Sequence, residues 1–260
     1  MDTQQLRDTF LVADLFSPGQ LNGVFTDLDR LLVGGAMPLK PLEMPNHKET
    51  GRAFFLERRE LGTINVGGPG VVHADGKSFP LGRLDCAYVP MGTRSLAFES
   101  ADAKNPAKFY FLSCPAHAAL PAASMRQKDA TPVALGTQAS ANQRTIYKYI
   151  HAGGIQSCQL VMGFTELAEG SVWNSFPPHT HARRVEIYFY FDLADRILVH
   201  LMGEPAQTRH LFMHNEQVAL SPSWSIHAGC GFGNYRFSWG MAGENQTFDD
   251  MDGVKPPDMR

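Results

Sequence analysis

The chain alternates apolar and polar positions in short runs, and glycine or proline closes most of them. Between residues 52 and 114 the stretches "AFFLERRE", "GTINVGG", "GVVHADGKSFPLG", "CAYVPMG", "SLAFES" and "KFYFLSC" follow one another at strand length. That rhythm predicts many short strands joined by turns. Asp75-Gly76 predicts a tight hairpin inside the series. A second such region runs from about 146 to 248, with "CQLVMGFTELA", "VEIYFYFDL", "ILVHLMG", "TRHLFMH", "QVALSPS" and "RFSWGMAG" as its expected strands. One short helix is expected in "TQQLRDTFLVADLF", and a proline-punctuated loop over residues 38–51. Residues 115–145 are rich in Ala, Pro, Ser and Gln and lack periodicity, which reads as a connection between two lobes. The expected fold is all-β, with a first lobe over residues 1–125 and a second over 126–260.

An internal echo points to duplication. "AYVPMGTRS" in the first lobe resembles "ALSPSWSIH" in the second. Pro90 stands five residues before Ser95, and Pro222 five before His227.

Composition narrows the function classes. A chain of 260 residues is enough for one large all-β domain or two fused smaller ones, with a sizeable core. With 23 Lys+Arg against 26 Asp+Glu, no basic excess marks a nucleic-acid partner. No apolar run approaches the ~20 residues of a membrane span. "MDTQQLRDTF" lacks the charged and then apolar order of a signal peptide, so the expected location is cytoplasmic, without membrane contact. The four cysteines are scattered and form no C-x-x-C pair, as expected of reduced, mostly buried thiols.

The chemistry concentrates in "PPHTHARRVEIYFYF", residues 177–191. His179 and His181 stand two apart, so on a strand both point to one face. Pro177 and Pro178 argue against a helix there. Glu186 opens a run too aromatic and β-branched for a surface loop. Imidazoles with a carboxylate suit zinc, iron, manganese, nickel or cobalt. His227, fed by the proline turn "SPSWSI", is the first candidate for a fourth ligand. His200, His210 and His214 compete with it.

H-x-H-x4-E followed by P-x4-H resembles the cupin superfamily, although the usual glycines around the first motif are missing. Longer strings, "FLERRELGTINVGGPG", "SPSWSIHAG" and "WGMAGENQTFDDMD", resemble the 4-deoxy-L-threo-5-hexosulose-uronate ketol-isomerases, also called 5-keto-4-deoxyuronate isomerases. That resemblance runs from about Asp2 to Arg260. It implies a bicupin, two tandem double-stranded β-helix (jelly-roll) lobes. It further implies one Zn2+ per chain, held in the second lobe by His179, His181, Glu186 and His227. The first lobe would have lost its metal, with Ser95 where a ligand histidine would stand. The implied reaction is an aldose–ketose isomerisation of a small-molecule uronate in pectin and polyuronide breakdown. The product would be 3-deoxy-D-glycero-2,5-hexodiulosonate, and the assembly a homo-hexamer.

Such a reaction needs a base to carry a proton between carbons. The sequence offers Glu216 and His214 in "HNEQ", and Glu244, Asp249 and Asp250 near the C-terminus. For the substrate carboxylate it offers Arg183, Arg184 and Arg209, because a guanidinium can grip two oxygens at once. Trp224 and Trp239 are candidate cavity walls. Alternatives at this level are a 5-deoxyglucuronate isomerase-like enzyme, a cupin dioxygenase holding iron with the same ligands, and a non-catalytic sugar-acid-binding bicupin.

Overall fold

The computed structural model describes residues 1–245 and 249–260. Its regular structure is mostly short strands. The one α-helix among the described residues, Thr3–Phe10, starts at a capping box in which the Asp2 side chain accepts from the Gln5 amide and the Gln5 side chain reaches back to the Asp2 amide. No helix among the described residues is long and apolar enough to cross a membrane.

The first lobe is built from Leu32–Ala36, Leu42–Glu43, Arg59–Asn65, Gly70–Ala74, Lys77–Leu81, Cys86–Val89, Leu96–Ser100 and Phe109–Pro115. The second repeats the plan with Leu160–Leu167, Trp173–Asn174, Glu186–Phe191, Leu198–Glu204, Gln207–Met213, Gln217–Ser221, Ala228–Gly231 and Arg236–Ala242. Counting these strands in chain order, both lobes place the sixth, third, eighth and first side by side in one sheet. Both place the second, seventh, fourth and fifth in the other. The shared order is that of a jelly roll, and each lobe is a sandwich of two facing sheets rather than a continuously hydrogen-bonded ring. The Asp75-Gly76 hairpin forms as expected, with both residues at positive φ.

The register gives the duplication a residue-level meaning. Glu186 pairs with Ser221, the residue before Pro222, and Leu61 pairs with Val89, the residue before Pro90. Leu61 therefore occupies in the first lobe the position of Glu186 in the second, and Ser95 that of His227. A leucine and a serine there leave the first lobe without the ligands of the second.

Three apolar cores hold the layers together. One lies inside the first lobe around Leu61, Phe98, Phe109 and Phe111, and one inside the second around Tyr188, Tyr190, Leu198 and Trp239. The third lies between the two large sheets, where Tyr110, Leu112, Phe164, Ile187 and Phe189 meet. The rings of Tyr110 and Phe189 stack across it with centroids 4.3 Å apart. This explains why "EIYFYF" is apolar on both faces. Tyr188 and Tyr190 point into the lobe, while Ile187, Phe189 and Phe191 point at the other lobe. Gly62 lies on the contact, where a Cβ would come within 2.6 Å of the Leu160 side chain. Glu60, wholly buried, accepts from the amides of Cys158, Gln159 and Leu160 at 2.8, 2.6 and 2.8 Å, and from the Tyr88 hydroxyl at 2.6 Å.

Some local expectations change. In "AFFLERRE" residues 53–58 form a turn, because the Glu57 carboxylate folds back onto the Ala53 amide at 2.9 Å, and the strand begins only at Arg59. The connection between the lobes is not featureless. Ala123–Met125 adds to the first lobe and Pro132–Leu135 to the second. The opening residues serve the second lobe, since Leu11–Val12 pairs with Gln217–Ser221. Cys86, Cys114 and Cys158 are buried free thiols, and Cys230 is half-buried and free.

Candidate metal centre and its cavity

The site is assembled from three places in the second lobe. His179 belongs to the short strand His179–Thr180, which pairs with Asp252–Gly253 of the C-terminal segment. His181 follows it, and its amide donates to the Ser223 carbonyl at 3.3 Å. Glu186 is the first residue of the central strand Glu186–Phe191 and faces into the lobe. His227 directly precedes Ala228–Gly231 and is delivered by the turn that begins at Pro222. That turn is pinned from both sides. The Ser225 amide donates to the Pro222 carbonyl at 2.9 Å, and the Ser225 hydroxyl accepts from the Gly203 amide at 2.9 Å.

Three imidazole nitrogens and one carboxylate oxygen converge. His179 Nε2 lies 3.1 Å from His181 Nε2 and 3.0 Å from His227 Nε2. Glu186 Oε2 lies 2.9 Å from His181 Nε2 and 2.8 Å from His227 Nε2. All four ligand atoms fall within 4.8 Å of one another, and no other such group of His, Cys, Asp or Glu occurs among the described residues.

Hydrogen bonding alone serves this ring poorly. At most two ring protons can point into it without setting donor against donor, and four contacts need satisfying. A single cation meets all four lone pairs at once. Bonds of ~2.0–2.1 Å place neighbouring donors ~3 Å apart at right angles and ~3.4 Å apart at tetrahedral angles, so the observed spacing fits one ion. The set therefore passes the test as a divalent-metal cage.

The electrostatics agree. Burial, with His227 facing it, holds His179 neutral and lowers its pKa to about 3. Burial alone would raise the Glu186 carboxyl, but His227 and His181 outweigh it and hold the group well below the usual carboxylate range. A neutral imidazole and an ionised carboxylate are forms that bind a metal. Behind the ligands, His227 Nδ1 lies 3.4 Å from the Ser221 hydroxyl. His181 Nδ1 lies 3.5 Å from an Asp250 oxygen, close enough for attraction but not aligned as a hydrogen bond. Asp250 also accepts from Arg183 Nε at 3.0 Å and lies 2.5 Å from an Arg184 nitrogen. These contacts tie the C-terminal segment over the site.

The cluster opens into a cavity of about 500 Å³. His179, His181 and Glu186 form part of its wall. Phe176, Tyr188, Phe237 and Trp239 supply aromatic surface, and Met251, Gly253 and Val254 close it from the C-terminal side. Tyr188 shares a hydrogen bond with Ser175 at 2.8 Å, and the Trp239 indole donates to Thr165 at 3.1 Å.

The structure sorts the other sequence candidates. Trp239 lines the cavity. Trp224 does not; it is exposed and packs edge-on against Phe10. Glu216 sits in a turn, paired with Lys108 of the first lobe at 2.6 Å, and does not line the cavity. His214 is exposed beside the same turn. Glu244 is also outside the cavity wall, its amide held by Gln159 at 2.6 Å. Arg184 is buried against Asp250 rather than presented to the cavity, and Arg183 shares that carboxylate. Arg209 lies on the exposed face of Gln207–Met213, its guanidinium turned onto its own backbone at Thr208. His210 is exposed on that face, against Phe212. His200 is wholly buried beneath the site, bonded to the Tyr190 hydroxyl at 2.7 Å. Of the rival fourth ligands only His227 joins the cluster.

Sequence reasoning missed Tyr188, Ser175 and Arg144 as cavity residues. Tyr188 carried a signal, standing two residues after Glu186 and so on the same face of the strand.

Comparison with known proteins agrees with this fold. The KduI/IolB family model matches residues 15–254. The 4-deoxy-L-threo-5-hexosulose-uronate ketol-isomerase of Opitutus terrae is 55% identical over all of this chain and 95% of its own length. The protein of the same name from Pectobacterium carotovorum is 50% identical with the same coverage. Among solved structures, an IolB-like protein from Salmonella typhimurium superposes with a TM-score of 0.75 at 13% identity, over 94% of this chain and 96% of that one. An oxalate decarboxylase variant from Bacillus subtilis gives 0.62 at 12% identity, over 92% and 78%. The last two show the fold alone, a bicupin, whereas the family match and the full-length identities show descent: the chain belongs to the KduI/IolB family.

Proposed function

We propose that this protein is a metal-dependent aldose–ketose isomerase that converts 5-keto-4-deoxyuronate into 3-deoxy-D-glycero-2,5-hexodiulosonate. The observation that carries the reading is the four-ligand cage opening into a cavity large enough for a six-carbon sugar acid. The names of the full-length relatives support the substrate. Zn2+ is the proposed ion, held by His179, His181, Glu186 and His227. It has no redox chemistry and, when bound, draws electrons from a carbonyl oxygen and so acidifies the neighbouring C–H.

The chain's own residues do the rest. The aromatic wall of Phe176, Phe237 and Trp239 excludes water, which strengthens every electrostatic contact inside. The Ser175–Tyr188 hydroxyl pair offers a fixed donor and acceptor for sugar hydroxyls. Glu216, His214 and Glu244 are given no proton-transfer role, since none lines the cavity.

The test is ¹H NMR of the zinc-loaded protein with 5-keto-4-deoxyuronate in D₂O. The reading expects the ketose product with deuterium at the proton-accepting carbon, and no product from Glu186→Gln. Oxygen consumption in place of isomerisation would instead assign the site to a dioxygenase.

A further inference from the structure

Among the described residues, a single cationic side chain outside the histidines lines the cavity: Arg144. It opens the strand Arg144–Ile150, and its neighbours in the register are Leu135 and Leu167, both apolar. One guanidinium nitrogen, Nη1, donates to the Asn142 carbonyl at 2.9 Å. No carboxylate pairs with it among the described residues. The contrast with nearby arginines is direct. Arg183 and Arg184 are committed to Asp250, and Arg236 to Glu166 and Asp192.

A half-buried guanidinium without a counter-ion is costly unless something arrives to neutralise it. The wall beside it is mostly apolar, with Leu135, Ile146 and Phe237. Burial lowers the Arg144 pKa, the direction expected for a cation removed from water without an acidic partner. At its other end the same cavity carries the ligand cluster, whose Glu186 carboxylate is engaged by His181 and His227. The cavity thus has one free positive end and one metal-binding end.

We infer that Arg144 seats the carboxylate of an anionic sugar acid, fixing which end of the molecule reaches the His/Glu cluster. The inference rests on the isomerase reading for the identity of the substrate, and on Arg144 alone for its charge. The planar fork can take two carboxylate oxygens, and a lysine at the same place cannot reproduce that geometry. Arg144 is a binding and orienting residue.

Two measurements keep the inference separate from the isomerase reading. The first is calorimetric binding of D-galacturonate and of neutral D-galactose to the zinc-loaded protein. Wild type should prefer the acid, and Arg144→Gln should lose that preference at unchanged zinc content and melting temperature. The second is steady-state kinetics with 5-keto-4-deoxyuronate. KM should rise about 100-fold in Arg144→Gln, with kcat reduced less, and Arg144→Lys should fall between. No preference for the acid in wild type, or a preference retained in Arg144→Gln, overturns the inference even if turnover is normal. A preference that depends on Arg144 in a protein without isomerase activity would uphold the inference and sink the isomerase reading.

Discussion

Glu60 is the sharpest structural test of how the two lobes are joined. Its Oε1 accepts from the Gln159 and Leu160 amides, and its Oε2 from the Cys158 amide and the Tyr88 hydroxyl. The residue is wholly buried, and the amides it holds lead into Leu160–Leu167, the strand that carries Thr165 to the cavity wall. In Glu60→Gln the amide oxygen can still serve one side of this set. The amide NH₂ must then face the other side. Tyr88 can rotate its hydroxyl and accept, but the Cys158 N–H cannot, so one buried donor is left facing another. An unsatisfied buried donor costs about 1–3 kcal/mol, and loss of charge assistance weakens the remaining bonds, so the expected destabilisation is about 2–4 kcal/mol. Glu60→Ala removes every acceptor and opens a cavity, so it should cost more. The assay is urea unfolding of both variants and wild type, zinc-loaded and at equal protein concentration. A Glu60→Gln midpoint that coincides with wild type would refute the reasoning, because it would mean that the carboxylate does not hold the lobes.

Two further outcomes follow from the surroundings of the site. His200 is held neutral by burial, with His227 opposing its charge, and its pKa is lowered to about 3 against an ordinary 6.5. Between those values the unfolded chain binds more protons than the folded one. Stability is therefore full above about pH 6.5 and falls as pH drops towards 3. Urea midpoints for the metal-free protein should decline over that window, and less steeply in His200→Phe; parallel declines would contradict the assignment. Asp250→Asn should weaken zinc binding about tenfold or more in a competitive chelator titration, since that carboxylate sits behind His181 and anchors the C-terminal segment. An unchanged affinity would contradict that supporting role.

Much of this was legible in the chain because two local rules hold there. Period-two spacing places His179 with His181, and the proline turn before His227 recurs, register for register, before Ser95. The apolar run at Glu186–Phe191 correctly reads as a buried strand. Its burial on both faces, however, comes from packing of the lobes back to back, a long-range fact. The same limit explains the misplaced arginines. Arg184 stands two residues from Glu186, but the regular strand starts only at Glu186, so alternation does not carry back to it. Arg144 is far away in sequence and reaches the cavity only through the antiparallel register of Arg144–Ile150 with Leu160–Leu167. Glu216 and His214 looked suited to proton transfer because they read as part of the strand leading to His227. They lie instead at the turn before that strand, where Lys108 of the first lobe meets Glu216.

The central claim is that His179, His181, Glu186 and His227 share one divalent ion. Its most direct test is metal content per chain, by plasma mass spectrometry after zinc loading and dialysis. Wild type should hold about one ion per chain, and Glu186→Gln or His227→Ala almost none, with circular dichroism unchanged. A wild-type protein that retains no ion, or variants that retain as much as wild type, would contradict it.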